Sequence, residues 1–139
     1  MATVWKVWLR AFALLLALFG VVFALAAVPA LDFGVRFFYD FVVWPIDGAS
    51  DFDVQRKTAA ILGAVMLGWS ISMWGLIRAG ERGDVHSWRA LCASVLIWWL
   101  VDSAVSIAVG YPVNALSNTI LVMLFFIPIV GSGMLRTGK

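Results

Sequence analysis

Between Leu91 and Val109 the chain carries a single charge, the carboxylate of Asp102. At ~1.5 Å per residue a helix over that run spans roughly the 30 Å hydrocarbon core of a bilayer. An acid inside such a helix costs about 2.5–3.5 kcal/mol on insertion scales, so it needs a partner within the protein or access to water. The rest of the chain can be searched for that partner.

A membrane setting follows from composition as well. Of 139 residues, 63% are hydrophobic and 13% charged, against about 25% charged in soluble domains. The length suits one domain, residues 1–139. A formal charge of +2, scattered along the chain, gives no footprint for nucleic acid. The single cysteine, Cys92, excludes an intrachain disulfide. The single histidine, His86, excludes a bis-histidine haem and any site that needs two histidine ligands.

The chain opens with Trp5, Lys6, Trp8 and Arg10, then runs apolar from Ala11 to Val28. That run is long for the h-region of a signal peptide, so a retained first span over 7–29 is expected, with Trp5 and Trp8 as interfacial anchors. Residues 30–44 differ in kind. Phe33, Phe37 and Phe41 recur every four residues on one face, and Asp32, Arg36 and Asp40 recur on another. The segment is too short and too charged to span. It reads as an amphipathic helix lying in the membrane interface, with its polar face open to water.

Trp44-Pro45 ends that helix and Asp47-Gly48 signals a turn. Asp47, Asp51 and Asp53 do not have the spacing of an EF-hand loop, and Ser50 followed by Asp53 has the spacing of a capping box. Capping is expected there, and no metal site. A second span covers 56–78. Ala60, Ala64, Gly68 and Ser72 form a small-residue stripe along it, with Ala59 and Gly63 alongside. Such stripes let backbones approach closely in lipid. Packing within the chain's own bundle is the expected use, and docking of a second copy or another membrane protein the alternative.

Gly80 to Gly83 reads as a polar turn, and the third span covers 87–109. Gly110-Tyr111-Pro112 then turns the chain into a fourth span, 114–135, with Asn114 as N-cap and a bend at Pro128. So short a connection makes spans three and four an antiparallel hairpin. Counted back from Tyr111, Ser106 lies near the depth of Asn118, and Asp102 about one turn deeper. Ser106, Ser117 and Asn118 are therefore the expected partners of Asp102, forming an intramembrane polar cluster.

The fold class expected is all-α: a polytopic four-helix transmembrane bundle with one amphipathic interfacial helix after the first span. Lys6, Arg10, Arg78, Arg82, Arg89, Arg136 and Lys139 fall on one side of it, and Arg36, Arg56 and Lys57 on the other. That asymmetry predicts both termini in the cytoplasm. The arrangement resembles the small DoxX-like inner-membrane proteins of bacteria. It shares an Arg-preceded first span, a polar outer segment, a Gly-rich second helix (Ala60-Ile61-Leu62-Gly63-Ala64-Val65-Met66-Leu67-Gly68-Trp69) and a tight hairpin of the last two spans. The resemblance implies a bacterial inner-membrane location and an accessory role in a membrane complex. It carries over no functional residue.

Catalysis finds no footing in these residues. There is no glycine-rich phosphate loop, no intramembrane carboxylate pair and no nucleophile–base pair beyond Cys92 and His86, which read as packing and as a solvated loop residue. A non-enzymatic accessory, assembly or scaffold subunit is the expected function, with the lipid bilayer and a membrane-protein partner or second copy as its neighbours. The alternative is binding or transport of a small or hydrophobic ligand around Asp102. Eight Trp and ten Phe have the chemistry to line a quinone, carotenoid or lipid pocket, but they name no cofactor.

Overall fold

The computed structural model describes residues 2–42 and 52–133, which form an all-α bundle. The described helices are α1 (Thr3–Leu25), α2 (Phe33–Val42), α3 (Phe52–Glu81), α4 (Val85–Ala108) and α5 (Pro112–Ser132), with a 3-10 turn at Pro29–Leu31 between the first two. Helices α1, α3, α4 and α5 are each long and apolar enough to cross a membrane. Expected features at Trp44, Asp47, Ser50 and Asp51, and the side chain of Phe41, lie outside the described residues.

Local chemistry sets the ends. Val28 is extended (φ −96°, ψ 119°), as a residue before proline prefers, and α1 stops at Leu25, short of the boundary expected at 29. Helix α4 starts on Asp84, whose carboxylate accepts the backbone N–H groups of His86 and Ser87 and the Ser87 hydroxyl. Those bonds, the Ser87 hydroxyl first, hold the Asp84 carboxyl below its usual range. Helix α5 opens on Pro112 at its first position after Tyr111 and closes on Gly133 in the left-handed conformation, φ 66°.

The chain divides into two compact units, Met1–Ala13 with Ser72–Lys139, and Leu14–Ile71. In the second unit, α1 and α3 meet backbone to backbone at Gly20 and Gly63. A Cβ on Gly20 would lie 2.8 Å from the Leu67 nitrogen, and one on Gly63 would lie 2.4 Å from the Ala24 nitrogen. Beyond that crossing Phe23, Ala26, Val35 and Ala59 form a core, against which Phe38, Tyr39 and Met66 pack. The Phe23 and Phe38 rings meet edge to face at 5.0 Å. Arg56 is buried, and its Nη1 donates to the carbonyls of Ala26 (2.6 Å) and Ala27 (2.8 Å) just past the end of α1. The same guanidinium pairs with Asp53, which also holds Lys57.

Helix α2 has three faces where the sequence pattern suggests two. Phe33 and Phe37 point outward, 71% and 74% exposed, while Val35 and Phe38 turn into the core. Asp32, expected on a face open to water, is only 6% exposed. The reason is Arg36, which donates Nε and Nη2 to the two Asp32 oxygens at 2.8 and 3.0 Å. Its guanidinium also lies 4.0 Å above the Phe52 ring. The Asp32 hydrogen bond raises the Arg36 pKa above the ordinary arginine value.

In the first unit the two tryptophans of α1 pack against α5. Pro128 has no N–H to give the carbonyl four residues before it, that of Leu124. The indole Nε1 of Trp8 donates to that carbonyl instead, at 3.0 Å. Trp5 lies over Gly131, where a Cβ would meet its ring at 2.9 Å. Phe12 and Phe125 complete the contact with ring centroids 5.6 Å apart. Arg10 closes this end by a two-pronged ion pair to Glu81. Trp8→Phe, which keeps the ring and removes the N–H, is expected to cost about 1 kcal/mol in equilibrium unfolding from mixed micelles. In a Pro128→Ala background the restored N–H answers Leu124, and that cost should fall toward zero. Equal costs in both backgrounds would show that the indole does not serve this carbonyl.

Candidate functional site

The α4–α5 hairpin brings the chain's intramembrane acid to its partners. Gly110, at φ 87°, reverses the chain within three residues. Pro112 then starts α5 so promptly that its first turns face the last turns of α4. Asp102 lies six residues before the end of α4, about 9 Å along the axis. That places its carboxylate inside an apolar helix, away from either end.

The carboxylate is held through one oxygen. Asn118, buried on α5, donates its amide to Asp102 Oδ2 at 2.6 Å, and Asn114 donates to the same atom at a longer 3.4 Å. The Asn114 amide also donates to the Ser106 hydroxyl at 2.8 Å, and Ser106 donates in turn to the backbone carbonyl of Asp102 at 2.6 Å. The four residues form one connected set of donors and acceptors, in which Asp102 Oδ2 accepts from both amides. One turn deeper, the indole of Trp99 donates to the Thr119 hydroxyl at 3.1 Å. Thr119 itself donates back to the Ala115 carbonyl. The hairpin is thus stitched at three levels by side chains from both helices.

Two of the expected partners are present and one is not. Asn118 binds the Asp102 carboxylate directly, and Ser106 joins through Asn114. Ser117 does not join. Its hydroxyl donates to the Val113 carbonyl of its own helix at 3.0 Å, the back-bond a serine makes when no partner faces it. Asn114 corrects the sequence reading in the other direction. The N-cap position falls to Tyr111, and Asn114, inside the first turn of α5, reaches across to α4. A register one turn closer to the loop than counted from Tyr111 brings Asn114 to Ser106, while Ser117 lies about 100° around the helix from Asn118. Trp99 and Thr119 were legible only as an aromatic and a polar residue at matching depth in the hairpin.

The small-residue stripe of α3 is also corrected as a packing face within the chain. Ala64, Gly68 and Ser72 are exposed and Ala60 is half-buried, and a Cβ on Gly68 would meet nothing within 4 Å. Close approach runs instead through the neighbouring row, Ala59 and Gly63, rotated by one residue. The choice belongs to Gly20 on α1, whose missing side chain faces Gly63.

Ser103, next to Asp102, has a buried hydroxyl oxygen with no hydrogen-bond partner among the described residues. Cys92 is buried in α4, and His86 is exposed in its first turn. Compared with known protein families, curated proteins and solved structures, the chain matches none of them.

Removing either end of the principal bond should be costly, and removing its absent neighbour should not. Asn118→Leu is expected to destabilise the hairpin by about 1–2 kcal/mol, because it strands the Asp102 carboxylate. Ser117→Ala should be nearly silent. Unfolding of the two variants in the same micelles checks this, and a Ser117→Ala cost equal to that of Asn118→Leu would contradict the geometry.

Proposed function

We propose that this chain is a non-enzymatic accessory or scaffold subunit of a larger membrane assembly, with its intramembrane polar residues serving its own fold. The observation that carries the reading is the closed network of Asp102, Asn114, Ser106 and Asn118. Polar groups that bind a transported species point into a cavity and form a path. These are bonded to one another across a hairpin. What the two helices present outward is apolar, Ile97, Leu100 and Val101 on α4 and Leu116, Ile120 and Met123 on α5. Such faces suit lipid and the flanks of other membrane helices. The likeness to DoxX-like proteins points the same way, toward a bacterial inner membrane. The excess of basic residues around Gly83 supports cytoplasmic termini.

The second reading, binding or transport of a small ligand at Asp102, draws on Ser103. Its hydroxyl is buried in the same helix turn with no partner among the described residues, and the Asp102 carboxylate is engaged through one oxygen. One substitution separates the two. Asp102→Asn keeps shape and most hydrogen-bonding capacity, so a structural Asp102 predicts a folded protein that still co-purifies with its membrane partner from mild detergent. Asp102→Leu should strand Asn118 and weaken both fold and association. Mass spectrometry of co-purifying proteins and extractable small molecules reads the result. A well-folded Asp102→Asn protein that has lost a bound small molecule, with no protein partner in either preparation, would overturn the scaffold reading. Orientation is checked separately. A reporter fused after Gly83 is expected in the cytoplasm, and an external signal would reverse the topology.

A further inference from the structure

We propose that the turn joining α3 and α4 is a binding surface for the phosphate headgroups of anionic phospholipids, gripped by Arg78, Arg82 and Arg89. The inference rests on α3 and α4 spanning a membrane and is independent of the accessory role. Arg78 lies one turn before the end of α3, Arg82 in the turn itself and Arg89 one turn into α4. All three are exposed, and none has an ion pair with a described residue.

The two acids of this turn do not neutralise them. Glu81 is held by Arg10, with its side chain only 9% exposed. Asp84 is held by the N-terminus of α4 and Ser87. Asp84 keeps its negative charge, so the three guanidinium groups exceed it by two charges (three arginines less Asp84), and Lys6 adds a further cation on the same unit, one turn before Arg10.

The turn is also stiff. The Trp88 ring lies against Gly80 so closely that a Cβ there would come within 2.3 Å of it, and Gly83 closes the reversal at φ 105°. The arginines therefore extend from a fixed backbone.

The occupant follows from position and charge. Helix α3, of 30 residues, is about 45 Å long, and α4, of 24, about 36 Å. Both exceed a hydrocarbon core of roughly 30 Å, so the end they share reaches the headgroup layer. Phosphate is the anion concentrated there, and guanidinium binds it through paired N–H donors. Anionic headgroups exceed zwitterionic ones by a net negative charge, which is what an uncompensated basic rim selects.

Native mass spectrometry of the full chain in mild detergent, with equal amounts of phosphatidylglycerol and phosphatidylcholine, tests the assignment. The wild type should retain phosphatidylglycerol preferentially, by at most about five-fold for each arginine engaged. Arg78→Gln, Arg82→Gln and Arg89→Gln combined should bring the ratio to about one, while the three corresponding Lys substitutions should keep most of the preference. Helicity by circular dichroism is read on each variant. If the triple Gln variant does not fold, Arg82→Gln alone, in the turn, should still lower the ratio. Equal retention of both lipids by the wild type would overturn the proposal. So would a folded Gln variant, triple or single, with an undiminished preference. Displacement of phosphatidylglycerol by inorganic phosphate, beyond the effect of chloride at matched ionic strength, would mean a free-anion site instead of a lipid one.

Discussion

Inside hydrocarbon a polar group has no water to fall back on, and the arrangement of this chain follows from that constraint. Two acceptors inside its described apolar helices show how the chain meets it. Pro128 strands the carbonyl of Leu124, and Asp102 places a carboxylate in α4. Each is answered from a neighbouring helix, by the Trp8 indole and by the amides of Asn118 and Asn114. A related solution ends α1, where the buried guanidinium of Arg56 takes the Ala26 and Ala27 carbonyls. In every case the donor is a side chain whose carbon frame also packs.

Individually these bonds are modest, since hydrogen bonds between membrane helices average well under 2 kcal/mol. Their contribution is direction. Apolar faces sliding over one another in lipid have little preference for register, whereas an amide facing a carboxylate has one. The hairpin of α4 and α5 is pinned three times along its length, at Ser106–Asn114, Asp102–Asn118 and Trp99–Thr119. A slip by one turn would break the Ser106–Asn114 and Trp99–Thr119 pairs together. The first unit gains a further pin where Trp8 of α1 meets the Leu124 carbonyl of α5.

Helix number, order and approximate extent were legible in the sequence because apolar length and turn residues are local signals. The pairing of Asp102 with Asn118 was legible too, since a tight connection leaves little freedom in the depth of facing residues. What escaped depended on rotation about a helix axis. A shift of one residue moved the packing row of α3 from Ala60 and Ala64 to Ala59 and Gly63. Ser117 misses the cluster for the same kind of reason, while Asn114 joins it through a register one turn nearer the loop. The bond of Trp8 to the Leu124 carbonyl escapes a sequence reading because nothing local ties Trp8 to a proline 120 residues later. That link was nevertheless available in principle. Any proline inside a spanning helix leaves a carbonyl to be answered, and an indole at matching depth is a natural donor.

The crossing of α1 and α3 constrains the history of the sequence as well as its structure. A side chain at Gly20 or Gly63 would run into the facing helix, whose nearest atoms there are backbone and the Phe23 Cβ, none of which can swing aside as the end of a flexible side chain can. A methyl group at either position must push two whole helices apart and open the core of Phe23, Ala26 and Ala59. No change at the partner site can compensate, because glycine is already the smallest residue. The two positions are therefore locked singly rather than free to drift as a pair. Divergent descendants of this chain should preserve both glycines while the outward row at Ala64 and Gly68 changes. A comparison of distant sequences would then detect this helix crossing by its invariance and would find no covariation there.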